Sequence, residues 1–227
     1  MNDFFVVYGL TIISLIITVM AQVFVNTSYA KYKKVRIRGG ITGSEAARQV
    51  LDKHGLKKVK VVPVKGTLSD HYDPRSKTVR LSNEIYSGSS IAAVSVACHE
   101  VGHALQDKDG YSFMRFRSSL VPITNLSSKL GYFAIAIGLF FGYFELVWIG
   151  ILFEVVILLF QLVTLPVEFN ASSRALKEIK EEQFLTSGEL KHGRKMLSAA
   201  AFTYVASVTA TLIQILRLVL MVGRRRD

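Results

Sequence analysis

The chain has 227 residues, half of them hydrophobic, and a formal net charge of +11. Its mean hydropathy of +0.34 is high for a wholly soluble protein and indicates membrane-spanning segments within one or two domains. Cys98 is the single cysteine, which excludes an intramolecular disulfide and agrees with a reducing compartment.

The first apolar run covers residues 4–25 and contains no charge, which matches the roughly 20 residues needed to cross a bilayer. A cleaved signal peptide is the alternative. It is disfavoured because no Lys or Arg precedes the run and no Ala-x-Ala site follows it. Five basic residues between Lys31 and Arg38 follow directly and should remain cytoplasmic. We therefore predict a transmembrane helix in residues 1–30 with its N-terminus outside.

Residues 31–118 are polar enough to form a cytoplasmic segment. Thr42 precedes an amphipathic stretch that Gly55 can end, which predicts a helix. Residues 58–64 alternate like a strand, and residues 67–82 have the pattern of a hairpin.

The turn of this hairpin is predicted at Asp73 and Pro74, with residues 77–81 as the returning strand. This strand precedes the helix that carries the candidate site. It could pair with an extended substrate by strand addition, or it could be an ordinary edge strand.

The later part of the chain contains two further apolar regions. Residues 119–167 are too long for one crossing and predict a helical hairpin, with its first arm beginning after Pro122 and its turn at 142–145. Residues 168–196 are polar, and residues 197–227 predict a fourth membrane helix with a basic tail.

The basic residues are placed asymmetrically. Of the 28 Lys and Arg residues, 24 fall on the side predicted to be cytoplasmic. This positive-inside pattern explains the charge without a nucleic-acid partner. Arg224, Arg225 and Arg226 do not fit it, because four crossings would place them outside.

The segment HEVGH at 99–103 carries the candidate chemistry. On a helix, His99 and His103 project from one face and can bind one Zn²⁺ through their ring nitrogens. Glu100 lies beside them and can take a proton from the attacking water, while Gly102 leaves room for close packing or for substrate. Cys98 points away from this face and is interpreted as a small buried residue.

A catalytic zinc usually has three protein ligands, so a third must come from elsewhere. Glu168 is the candidate, because the hairpin crosses out and back and returns it to the side of the HEVGH helix. An interfacial Glu that caps a helix end is the alternative.

Two intramembrane charges also need partners. Glu154 and Arg217 are each the only charge in their apolar run, so we predict that they pair. The alternative is that Glu154 extends toward the outer surface.

A family resemblance covers most of the chain. The segments DHYDPRSKTVRLS, SGSSIAAVSVACHEVGHALQ and LPVEFNASSRAL occur in this order, and the chain resembles the YugP-like neutral zinc metallopeptidases of bacteria. That family is similar in outline to HtpX-like membrane gluzincins. The resemblance implies His99, His103 and Glu168 as zinc ligands and Glu100 as the base. HtpX-like enzymes usually carry Asp where this chain has Ser172. Asn170 is a candidate for orienting the ligands instead, and Ser172 itself is a second candidate.

Stabilising the oxyanion of a peptidase needs a further donor. The candidate residues are His71, Tyr72, Arg174, His192 and Tyr204, and none stands out.

The sequence therefore predicts a mainly α membrane protein with about four membrane helices and a small α+β zincin-like cytoplasmic domain. We expect a multi-pass protein of the cytoplasmic membrane that holds one Zn²⁺ and hydrolyses peptide or protein substrates. A non-proteolytic membrane protein with a structural or partner-binding zinc site is the alternative. The sequence does not indicate an oligomeric state.

Overall fold

Four long helices dominate the computed structural model, which describes residues 2–223 and the side chains from residue 6 onward. Each is long and apolar enough to cross a membrane. The three arginines at 224–226 lie outside the described residues. The four helices are α1 (Asn2–Tyr32), α5 (Ser112–Phe141), α6 (Phe144–Glu181) and α7 (Ser187–Gly223).

Shorter elements between α1 and α5 form the remaining regular structure. They are α2 (Gly43–Lys53), β1 (Lys60–Val64), β2 (His71–Asp73), β3 (Thr78–Ser82), α3 (Asn83–Tyr86) and α4 (Ile91–Lys108). The predicted fold class, a mainly α membrane protein with a small α+β part, is confirmed.

The chain forms two compact units, and the first contains residues 2–22, 115–165 and 202–223. Its buried apolar cluster joins Val147 and Ile151 of α6 to Leu218 and Val222 of α7. Many other large apolar side chains of this unit, such as Phe140, are exposed. Exposed apolar surface of this extent fits contact with lipid.

The helical hairpin is present, with one correction to its start. The backbone breaks between α5 and α6 at Gly142, which has a φ of +73°, a conformation that glycine adopts readily. The prediction that the first arm begins after Pro122 was wrong, because α5 begins at Ser112 and runs through Pro122. Neighbouring groups can compensate for the hydrogen bond that a proline removes from a membrane helix.

The predicted pairing of Glu154 with Arg217 was also wrong. The Arg217 guanidinium donates instead to the Thr11 hydroxyl, with Nη1 and Oγ1 3.0 Å apart. Among the described residues, no basic group lies within the 4.0 Å ion-pair distance of Glu154. Equal depth in two helices does not ensure that the side chains face each other, because helix rotation is set by packing.

The second unit contains residues 23–114 and 166–201. Its three-stranded sheet has the order β1-β3-β2, with β1 parallel and β2 antiparallel to β3. Because β3 is hydrogen-bonded on both sides, it is neither an edge strand nor free to pair with a substrate. Both predictions for this strand were therefore wrong. The predicted hairpin itself is confirmed as β2 and β3.

Helix α2 begins as the sequence predicts. Thr42 and Glu45 form a reciprocal capping box, and Gly55 follows the helix end with a φ of +73°. The core of this unit includes Leu51, Leu81 and Ile179, all fully buried. This core packs α2 and the sheet with α4 and the later part of α6, the two helices that carry the candidate site.

Candidate metal centre

The two histidines of the HEVGH segment lie one turn apart on α4. Ser90 caps the N-terminus of this helix, because its Oγ accepts a hydrogen bond from the Ala93 amide at 3.1 Å. The imidazole rings of His99 and His103 face each other edge to face, with centroids 4.9 Å apart. The local helical period thus brings two ring nitrogens together.

Glu168 on α6 completes a group of three potential ligands. Its Oε2 atom lies 3.3 Å from His99 Nε2 and 3.6 Å from His103 Nε2. Ligand atoms bound to a tetrahedral zinc are separated by roughly 3.3 Å. Glu168 Oε2 is buried and makes no hydrogen bond, an arrangement that is costly unless a cation satisfies the oxygen. The three side chains are close enough to hold one metal ion.

Gln106 fixes the orientation of His103. Its Nε2 donates to the Val167 carbonyl at 2.7 Å and to Asn170 Oδ1 at 3.0 Å. Its Oε1 therefore faces His103 Nδ1, 3.0 Å away, and Nδ1 must carry the proton. This tautomer leaves the lone pair of His103 Nε2 directed toward Glu168.

A chain of polar contacts supports Gln106. Asn170 Oδ1 accepts from Arg174 Nε at 2.8 Å, and Arg174 Nη1 contacts Asp109 Oδ2 at 2.5 Å. Asn170 therefore contacts Gln106 rather than a histidine. Arg174, a candidate oxyanion donor in the sequence, is engaged by Asn170 and Asp109.

His99 is oriented by Ser172, whose Oγ lies 3.1 Å from His99 Nδ1. The sequence offers this serine as a candidate at the position where HtpX-like enzymes usually carry Asp. Spacing offers a signal for it, because Ser172 and Glu168 are one helical turn apart and share a face of α6.

Glu100 is buried beside the three potential ligands and is held by β2. Its Oε2 accepts the Tyr72 backbone amide at 3.0 Å. The Tyr72 hydroxyl donates to Asp107 Oδ2 at 2.6 Å, and Lys77 binds the same oxygen. Burial and the Asp107 hydrogen bond raise the pKa of Tyr72, so its phenol stays protonated and directed at Asp107.

His71 and His192 contact residues other than the three potential ligands. His71 is exposed and bonds the Ser69 carbonyl through Nδ1 at 2.8 Å. His192 stacks on Tyr32 with a centroid distance of 5.5 Å, and Tyr204 lies on α7. Cys98 is buried, as predicted, and burial raises its pKa.

Charge and burial shift the pKa of His103 in opposite directions. Burial by itself lowers the pKa of this imidazole, but the Glu168 carboxylate beside it outweighs burial, and the pKa of His103 is raised. The Glu168 carboxylate thus attracts positive charge to this point, which a proton or a metal ion can supply.

Gly102 permits the close packing of α4 against α6. A Cβ atom at this position would lie 2.6 Å from the Ala171 carbonyl oxygen. Of the two uses that the sequence left open for Gly102, the structure supports close packing. The contact brings Glu168 and Ser172 up to the two histidines.

A membrane-helix fold with a largely buried His-His-Glu group defines the class of this protein as a candidate membrane metalloprotein. Comparison of the sequence with family models is more specific. The chain belongs to the family described as "putative neutral zinc metallopeptidase", whose model matches residues 7–223.

A relative from Bacillus subtilis (strain 168), described as "Putative membrane protease YugP", is 45% identical over 218 residues. The match covers 96% of this chain and 97% of the relative. No solved structure shows a significant match. The predicted family resemblance is therefore confirmed, and membership of the family implies zinc as the metal.

Proposed function

We propose that this protein is a membrane-embedded zinc metalloendopeptidase that cleaves membrane or membrane-proximal proteins. The observation that carries the proposal is the convergence of His99, His103 and Glu168, with the separate carboxylate of Glu100 beside them. A purely structural zinc site would not need that fourth group. The family and the Bacillus relative support the same class of reaction.

In this proposal the two imidazoles and Glu168 hold the zinc, with Gln106 and Ser172 orienting the imidazoles. When bound, zinc supplies a Lewis acid that polarises the scissile carbonyl and lowers the pKa of water toward about 7.

Glu100 acts as the general base. The Tyr72 amide holds one of its oxygens at 3.0 Å, which limits the rotation of the carboxylate. Glu100 accepts a proton from the attacking water and delivers it to the leaving amine. Proton transfer by such a group typically contributes about 10²–10⁴ in rate.

The charge distribution supports a site on the cytoplasmic side of the cell membrane, because the basic residues concentrate on the segments that flank it. Single cysteines in a Cys98→Ser background test this. A membrane-impermeant maleimide should label Tyr143→Cys, at the exposed hairpin turn, in intact cells. It should label Arg75→Cys, in the β2–β3 turn, only after permeabilisation. The reverse pattern would place the site outside.

Metal content and proteolysis of three variants test the proposed chemistry. Glu100→Gln should keep zinc and lose turnover, whereas Glu168→Ala should lose zinc as well. Glu181→Ala, on the exposed part of the same helix, is the matched control and should keep both. Glu181 forms ion pairs with Lys53 and Lys177 and lies away from the site.

The alternative is a membrane protein whose zinc is structural or binds a partner. That alternative predicts that Glu100→Gln behaves like the unmodified protein in every assay. Zinc retention by Glu168→Ala would contradict the proposed ligand set.

A further inference from the structure

A cavity lies within the unit formed by residues 23–114 and 166–201, between the end of α1 and the start of α7. Its volume is about 560 Å³, within the roughly 300–1,000 Å³ typical of ligand pockets. None of its lining residues belongs to the candidate metal centre. The cavity is lined by Phe24, Thr27, Ser28, Lys31, Tyr32, Arg194, Lys195 and Ser198.

Three basic side chains surround this cavity without a carboxylate. Lys31, Arg194 and Lys195 are all exposed. In the part of the chain that the structure describes, no acidic group lies within the 4.0 Å ion-pair distance of any of them. Lys31 extends over the ring of the buried Tyr32, with its Nζ 5.5 Å from the centroid. Three neighbouring positive charges repel one another, and an anion in the cavity would relieve that repulsion.

The position of these charges along each helix points to an amphiphilic ligand. In α1, Lys31 is the first basic residue after the charge-free run of residues 4–25. In α7, Arg194 and Lys195 come just before the apolar run that starts at Leu197. Both helices therefore change from apolar to basic at this cavity, which is expected at the boundary between acyl chains and headgroups.

The cavity wall is likewise apolar on one side and basic on the other. Phe24, which is 48% exposed, supplies apolar surface on the side of the charge-free run. Thr27 does not add a free donor, because its hydroxyl bonds the Val23 carbonyl at 2.7 Å. Donors for an anion therefore come from the three basic groups, with the Ser28 and Ser198 hydroxyls beside them.

We propose that this cavity binds the headgroup of an anionic phospholipid. Arg194 can contact phosphate oxygens in a bidentate manner, and Lys31 and Lys195 add point charges. The acyl chains extend along the apolar side of the cavity near Phe24. The site does not depend on peptidase activity or on zinc.

A further cavity of about 510 Å³ differs from the first because a carboxylate accompanies its three basic residues. It is lined by Lys33, Lys34 and Arg36, but also by Glu84. Glu84 Oε2 lies 3.2 Å from Lys33 Nζ and offsets part of the charge. This second basic set directly follows α1 and matches the first in its number of positive charges, so it provides a control.

Native mass spectrometry of the full chain in detergent tests the proposal by titration with phosphatidylglycerol and phosphatidylcholine. The unmodified protein should retain phosphatidylglycerol in preference to phosphatidylcholine. The variant Lys31→Gln/Arg194→Gln/Lys195→Gln should bind phosphatidylglycerol about tenfold more weakly or worse, because each basic group contributes to attraction. Thermal unfolding without added lipid verifies that this variant is folded.

The control variant Lys33→Gln/Lys34→Gln/Arg36→Gln carries the same charge change and should keep most of the affinity. Equal losses in both variants would show general attraction to basic residues and overturn the proposal. Inorganic phosphate serves as a competitor without acyl chains and should not displace the lipid at millimolar concentration. Displacement would assign the cavity to free phosphate and overturn the lipid assignment.

Discussion

Gln106 Oε1 lies 3.0 Å from His103 Nδ1, and the opposite side of the same amide donates to the Val167 carbonyl at 2.7 Å. One buried amide thus joins the histidine of α4 to the backbone of α6. Because the amide cannot turn over without losing both bonds to α6, it imposes one tautomer on His103.

Replacing this amide with an apolar side chain of similar length should weaken metal binding. We expect Gln106→Met to lower zinc affinity by about 10–100-fold, because the His103 ring loses the group that orients it. Competition with a zinc chelator measures the effect. Gln49→Met is the control, since Gln49 donates to Glu182 on another surface. Unchanged affinity in Gln106→Met would contradict the orienting role.

A substitution at Ser172 should raise the zinc affinity instead of lowering it. A carboxylate next to His99 Nδ1 makes the imidazole a more basic ligand, so Ser172→Asp should bind zinc more tightly than the unmodified protein. Ser172→Ala should bind it more weakly, and Ser172→Thr should retain the hydroxyl contact. Ser173→Asp adds the same charge at the neighbouring exposed position and should leave the affinity unchanged. Tighter binding in both Asp variants would indicate a long-range charge effect instead.

The contact at Gly102 predicts a loss of stability. Alanine has the better helix propensity by about 1 kcal/mol. Overpacking against a backbone oxygen typically costs about 1–3 kcal/mol and should dominate here. Gly102→Ala should therefore lower the unfolding temperature and reduce bound zinc by moving α6 away from α4. Gly188→Ala is the control, because an added Cβ there meets no atom within 4 Å. A Gly102→Ala protein as stable as that control would contradict the close packing.

The hydrogen bonds of Asp73 at the β2–β3 turn predict that the stability of the fold decreases in acid. The Ser76 hydroxyl and then the Arg80 guanidinium hold the pKa of Asp73 below its usual range. A carboxyl whose pKa is depressed in the folded state stabilises the fold above its unfolded pKa of about 3.9. This contribution is lost as the pH falls from that value toward the lower folded pKa.

Asp73→Asn should therefore reduce the stability difference between pH 6 and acid, measured as the unfolding temperature at each pH. Asp52→Asn serves as the control, because Asp52 is an exposed helix residue paired with Arg48 at 2.8 Å. An acid profile that Asp73→Asn leaves unaltered would refute the assignment.

The sequence by itself determined the parts of this protein that depend on local rules. The spacing of His99 and His103 follows from the helical period, and the charge-free runs predict the long apolar helices. Capping and turn residues such as Thr42 and Asp73 predict α2 and the β-hairpin. The sequence could also predict that Glu168 lies on the same side of the membrane as the histidines, because a helical hairpin must bring its ends to the same side.

Tertiary structure decided the parts that depend on how elements pack sideways. Gln106 became the partner of His103 only because α6 presents Val167 and Asn170 to it. The sheet order placed β3 in the centre rather than at an edge. The rotation of the helices about their axes directed Arg217 toward Thr11 rather than toward Glu154. Local periodicity fixes which residues share a face of one element, but it contains no information about which face of another element will meet it.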